Sequence, residues 1–93
     1  MTEDNITLER PIRLKRLRMR AWRRGMKEMD MILGPFVDTK GESLTDAQLS
    51  ALEILMDRQD QQLFLWVSGA SAAPSDAEPT ERDIVDIITS GFD

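Results

Sequence analysis

The chain has no cysteine and no histidine among its 93 residues. Without cysteine there is no disulfide framework and no thiolate chemistry. Without histidine the usual metal ligand is missing, and so is the usual acid–base group at neutral pH. No apolar run approaches the ~20 residues that cross a bilayer as a helix. The first residues, Met-Thr-Glu-Asp-Asn, are acidic and polar, unlike a secretory signal or an acid-poor transit peptide, so a cytoplasmic protein is expected. No Ser–His–Asp set, Gly-rich phosphate loop or metal-ligand cluster can be assembled from the residue types, and the chain is expected not to be an enzyme.

What is present is an uneven charge distribution. Nine of the twelve basic residues lie between Arg10 and Lys27, with no acid among them. The remainder holds three bases against seventeen acids, so the net charge of −5 hides a cationic segment on an acidic body. Such a body repels phosphate, which disfavours nucleic acid as a partner, while a local basic face suits an acidic protein surface. A chain of this length forms one small domain and buries only about two-thirds of its unfolded surface.

The apolar spacing is helical. Pro11 suits a first helical turn, and Ile12, Leu14, Leu17, Met19 and Trp22 read largely as one face of a helix over about residues 10–22. Gly25 reads as a corner. Met26, Met29, Ile32 and Leu33 open a second helix, which Gly34-Pro35 is expected to break. A short third piece starts at Phe36-Val37 and ends near Gly41. Thr45 with Gln48 three residues on is a capping box, Leu44 and Leu49 suit a hydrophobic staple, and Leu49, Leu52, Leu55 and Met56 form the stripe of the next helix. Asp60 is expected to cap a helix carrying Leu63, Phe64, Trp66 and Val67. Residues 69–79, rich in Ser, Ala and Pro, read as a linker. Ile84, Val85, Ile87 and Ile88 then give a C-terminal helix within 80–93; with no second strand to pair, a strand is disfavoured. The expected fold is all-α, a single-domain bundle of about five helices: a flexible 1–9, a helical core over 10–68, the linker, and the last helix packed on the same domain.

The most suggestive constellation is Arg24-Gly25-x-x-Glu28, with Arg23 and Met26 inside it and Asp30 close by. Gly permits another backbone to approach, Arg can make a two-pronged contact to a carboxylate or phosphate, and Glu28 can orient that Arg or accept from a partner. The plain alternative is a helix corner with solvated charges. Asp57-x-x-Asp60 lacks the oxygen ligands of a metal site and reads as a capped helix. The six methionines, Met26 and Met29 included, read as core packing before they read as an adaptable surface.

Taken in order, Arg23-Arg24-Gly25-Met26-x-Glu28-x-Asp30, Pro35-Phe36, Leu44-Thr45-Asp46, the Leu49/Leu52/Leu55 stripe and Asp57-x-x-Asp60-x-x-Leu63-x-x-Trp66 resemble the SdhE family, the FAD assembly factors of succinate dehydrogenase. The likeness runs from about Arg16 to Val67. It implies a five-helix chaperone that binds the flavoprotein subunit of succinate dehydrogenase, in some bacteria that of fumarate reductase, and promotes covalent attachment of FAD to a His of that subunit. FAD is accordingly expected to be involved through the partner, with no cofactor held stably; separately from the resemblance, the free protein is expected to be a monomer, although exposed Met and Trp leave self-association open. The family's functional patch falls on Arg24, Gly25 and Glu28, and Asp30 stands where the family often keeps an acid. With Arg23 and Met26 these are the expected partner-binding residues. The Ala/Ser-rich tail with Pro79 departs from the family pattern, and residues 1–15 lie outside the likeness. A basic-face nucleic-acid or antitoxin-like module is the alternative from the residues alone.

Overall fold

The computed structural model describes residues 9–90. Among them are five α-helices: α1 Arg10–Ala21, α2 Lys27–Lys40, α3 Asp46–Leu55, α4 Asp60–Val67 and α5 Pro79–Ser90. A 3-10 turn, Gly41–Ser43, joins α2 to α3, and no strand occurs among the described residues, as the all-α expectation requires. The expected flexible segment up to residue 8 and the last residues of the C-terminal helix, 91–93, lie outside the described residues.

Helix α1 begins with Pro11 in its first turn and ends with Arg18 and Arg20 in its last, where cations oppose the negative end of the helix. It turns Leu14, Leu17 and Ala21 into the core. The expected single apolar face is corrected here: Ile12 and Met19 point outward and are 47% and 48% exposed. Ala21, which the expected face left out, is fully buried in their place.

Helix α2 holds the second correction. It runs unbroken for 14 residues through Gly34 and Pro35, so the expected break and the separate third piece do not exist. An interior proline costs roughly 3 kcal/mol, since Pro35 cannot donate to the carbonyl of Met31 one turn earlier. The helix continues because Leu33, Phe36 and Val37 are buried around it, each contributing roughly 1.5–3 kcal/mol. Gly34 has its own reason. A Cβ there would lie 2.3 Å from the ring of Trp22, which therefore rests directly on the α2 backbone. The ring is fixed at its other edge, where Nε1 donates to Asp38 Oδ2 at 3.1 Å; Arg18 Nε donates to the other oxygen of Asp38 at 2.9 Å. Gly34 and Asp38 thus set how α1 crosses α2.

The local signals of α3 hold. Thr45 Oγ1 accepts from the Gln48 N–H and Gln48 Oε1 accepts from the Thr45 N–H, a complete capping box. Leu44 and Leu49 are both buried in the same cluster, as are Leu52, Leu55 and Met56. Helix α4 begins differently from expectation: Gln59 occupies the cap position without a side-chain bond, and Asp60 is engaged elsewhere. α1 packs on α2 and α3 on α5, with α4 against α2 and α5. One core forms from Leu17, Met29, Leu33, Leu49, Leu52, Leu55, Leu63, Ile84 and Ile88. Between α4 and α5 the chain turns at Gly69, whose φ of +84° suits glycine, and Ala77 is buried against the core.

Candidate functional site: the Arg-Gly corner

The corner between α1 and α2 is residues 22–26. Gly25 has a φ of +91°, a backbone conformation costly for any residue with a Cβ. It is exposed, and a Cβ on it would touch only Asp60 Oδ2, at 3.9 Å. The site therefore has a turn that only glycine adopts without strain, with open space above it.

What holds the turn is the side chain of Arg24, only 10% exposed. Its Nε donates to Asp60 Oδ1 at 2.7 Å, its Nη2 to the carbonyl of Arg58 at 2.7 Å, and its Nη1 to the carbonyl of Met56. One planar guanidinium thus bonds three acceptors on the turn between α3 and α4, a fork that lysine cannot reproduce. The Arg24 backbone N–H is bonded as well, to Asp30 Oδ1 at 2.8 Å. Asp30 reaches back from the first turn of α2, where an acid also opposes the positive end of the helix.

The six expected site residues therefore divide. Arg24 and Asp30 face the protein's own framework and fix the corner. Met26 is half-buried, sits at the cap position of α2 in extended conformation, and packs against the core. Arg23, Gly25 and Glu28 are exposed on one corner, joined by Lys27. Arg24 is thus not a solvent-directed contact.

From the same turn Arg58 holds a second buried charge, Glu81 of α5, which the sequence analysis did not single out. Glu81 is 1% exposed. Arg58 Nε donates to one of its oxygens at 2.8 Å and Arg58 Nη2 to the other at 3.1 Å, while the Glu78 N–H donates to it at 3.0 Å. Glu81 stands at the third position of α5, so the Glu78 contact is half of a capping box. Hydrogen bonding from Arg58 holds the Glu81 carboxyl below its ordinary range against the opposing effect of burial, and raises Arg58 above its own. Arg58 also bonds Asp76 at 3.2 Å, and its guanidinium lies 5.8 Å from the Trp66 ring centroid. Residues 56–60 are therefore a junction, receiving Arg24 from the corner and sending Arg58 to α5.

The basic run is partly neutralised from within. Arg10 pairs with Asp46, Arg13 with Glu53, Arg18 with Asp38, Arg20 with Asp57 and Arg24 with Asp60, each at 2.9 Å or less. Hydrogen bonding to Glu53 raises the Arg13 pKa above its ordinary value. Lys15, Arg16, Arg23 and Lys27 make no ion pair with a described residue. No group of three or more acidic side chains that could hold a metal gathers among the described residues, and no helix there is long and apolar enough to cross a membrane.

Fold and corner together define a small all-helical protein that presents a rigidly held Arg-Gly turn. A family profile described as "Flavinator of succinate dehydrogenase" matches residues 15–90. The chain belongs to this family, and the match extends through α5, beyond the likeness read from the sequence, which stopped near Val67. Among curated relatives, "FAD assembly factor SdhE" of Acetobacter pasteurianus is 31% identical over 92% of this chain and 76% of its own length. The protein of the same name in Aliivibrio fischeri is 45% identical over 53% of this chain and 57% of its own length. "Succinate dehydrogenase assembly factor 2, mitochondrial" of Dictyostelium discoideum is 31% identical over 69% of this chain and 45% of its own length. No solved structure gives a significant match to the chain.

Proposed function

We propose that this protein is a non-catalytic assembly factor that binds the flavoprotein subunit of succinate dehydrogenase in the cytoplasm, with that of fumarate reductase as a second client, and promotes covalent attachment of FAD. The observation that carries this reading is the exposed Gly25 turn, open to glycine alone and fixed by Arg24 and Asp30, in a member of the flavinator family. A chain without His or Cys offers neither of those nucleophiles to the flavin. Its contribution is to hold the client's domains in an attachment-competent arrangement, a shift in population. FAD then enters through the client, and no cofactor is held by the assembly factor itself.

The roles follow from the geometry. Gly25 offers bare backbone at the apex of the corner, so a client can approach it closely. Arg23 and Glu28 make the directional polar contacts. Arg24 and Asp30 are positioning residues that keep the apex in one conformation before binding, which lowers the ordering cost of association. Met26 seats the start of α2 on the core.

Two glycine variants separate strain from obstruction. Gly25→Ala and Gly25→Arg both impose a Cβ on the same positive-φ backbone, and both lose stability to a similar extent, about 1–2 kcal/mol. Only Gly25→Arg is expected to abolish co-purification with the apo flavoprotein subunit and the covalent flavin seen by in-gel fluorescence. Normal complex formation by folded Gly25→Arg would overturn the reading. Glu28→Ala is expected to lower covalent flavin while leaving the unfolding midpoint in place.

A further inference from the structure

We infer that the outer face of α1 is a second contact surface for the client, one that recognises an acidic protein surface with an apolar patch at its centre. The inference rests on the proposed function for the identity of the client and adds a surface separate from the corner.

Successive residues of a helix are turned by about 100°. Leu14, Leu17 and Ala21 mark the inward side of α1. The four helical arginines that pair with the body, Arg10, Arg13, Arg18 and Arg20, lie toward that side or along its edges, within reach of the acids of α2, α3 and the α3–α4 turn. Ile12, Lys15, Arg16 and Met19 fall on the opposite side. All four are exposed, and neither Lys15 nor Arg16 makes an ion pair with a described residue. The basic run is thus two sets of cations sorted by helical angle. One set neutralises the body and the other faces outward, interleaved with two apolar side chains that are each about half exposed.

The arrangement selects the partner. Outward cations that pair with no described residue favour an anionic surface and orient its approach. Ile12 and Met19 add an apolar centre, and the one aromatic nearby, Trp22, is laid on the α2 backbone at Gly34 and not presented for stacking on a base. Ile12 and Met19 lie about 10 Å apart along the helix, and exposed Arg23 follows just past its end, between this face and Gly25. A client seated on that corner would lie along this face. The family profile begins at residue 15, so Ile12 stands outside it while Lys15, Arg16 and Met19 stand within it.

The test is the rate of association of the full chain with the apo flavoprotein subunit, measured by stopped flow between about 50 and 300 mM salt. Lys15→Glu/Arg16→Glu is expected to slow association at low salt by about tenfold and to flatten its salt dependence. Its unfolding midpoint is expected to stay in place, because these side chains pair with no described residue. Ile12→Ser/Met19→Ser is expected to speed dissociation while leaving the salt dependence intact. A complex that forms with unchanged rates for both variants would overturn this inference and leave the corner reading standing. So would loss of binding to a single-stranded RNA probe, or of self-association in sedimentation, with client binding unchanged. Wild-type protein that forms no complex would overturn the proposed function, and this inference with it.

Discussion

Arg24 and Arg58 are two nearly buried guanidiniums, 10% and 12% exposed, at the same turn of the chain, and they act in opposite senses. Arg24 reaches into the turn and bonds two main-chain carbonyls and one carboxylate that is 20% exposed. Arg58 reaches out of the turn to a carboxylate that is 1% exposed. Carbonyls carry no charge and take up no proton, so the first arrangement holds a loop without burying a second full charge. The second buries an ion pair, which is secure while both partners are present and costly when one is removed. The Arg-Gly corner is thus held mainly by main chain, and the C-terminal helix by a charge.

The largest expected effect tests that contrast directly. Arg58→Ala strands Glu81 and is expected to cost about 3–5 kcal/mol. Arg24→Ala is expected to cost less, about 2–3 kcal/mol, since Asp60 is 20% exposed and can be rehydrated and the two carbonyls left behind carry no charge. Urea denaturation of both variants ranks them, and equal losses would dissolve the distinction. Arg24→Ala is nevertheless expected to lose more client binding than Arg58→Ala does, because only Arg24 positions Gly25.

Acid sharpens the comparison. The Glu81 carboxyl titrates lower in the folded protein than its ordinary value of 4.5. Its contribution is therefore complete above the unfolded value and is lost as pH falls through the lower, folded value. Glu81→Gln is expected to be less stable at neutral pH and to have a flatter dependence of unfolding free energy on pH below 4.5. Arg24→Ala is expected to keep the wild-type slope there to the extent that the slope comes from Glu81. An unchanged slope in Glu81→Gln would assign the acid sensitivity to another group.

The smallest expected effect lies away from the turn. Gly34→Ala places a methyl within the Trp22 ring and is expected to cost about 1–3 kcal/mol as the ring is displaced. A red shift in tryptophan emission would report the displaced ring, with client binding through Gly25 retained. Emission at the wild-type wavelength would mean that α2 yields rather than Trp22.

These residues show what the sequence can carry. The Thr45 capping box was legible because both partners lie three residues apart in one local pattern. The helical stripes of α3 and α5 were legible for the same reason. The path of Arg24 was not, because two of its acceptors are carbonyls 32 and 34 residues away, and a carbonyl belongs to every residue type. Asp60 was read as a cap since an acid at a helix start usually is one; its engagement with Arg24 is a long-range fact. Gly34-Pro35 was read as a break because both residues are poor helix formers, and only the Trp22 ring and the burial of Phe36 and Val37 explain why the helix persists. Ile12 and Met19 were assigned inward by residue type, whereas the angle around α1 places them outward. A signal existed there: Leu14, Leu17 and Ala21 alone keep strict three- and four-residue spacing.

The turn at residues 56–60 also bears on how this protein can vary. Arg24 recognises the carbonyls of Met56 and Arg58, and so measures the distance the chain travels more than which side chains it carries. Gln59, exposed between Arg58 and Asp60, is open to replacement. The number of residues is not open in the same way. Removing one would move Asp60 and the Arg58 carbonyl out of phase with the Arg24 fork and carry Arg58 away from Glu81 in the same step. The α3–α4 turn thus behaves as a gauge of fixed length, tolerant of replacement at Gln59 but intolerant of insertion or deletion, and the shape of a corner more than thirty residues earlier depends on it.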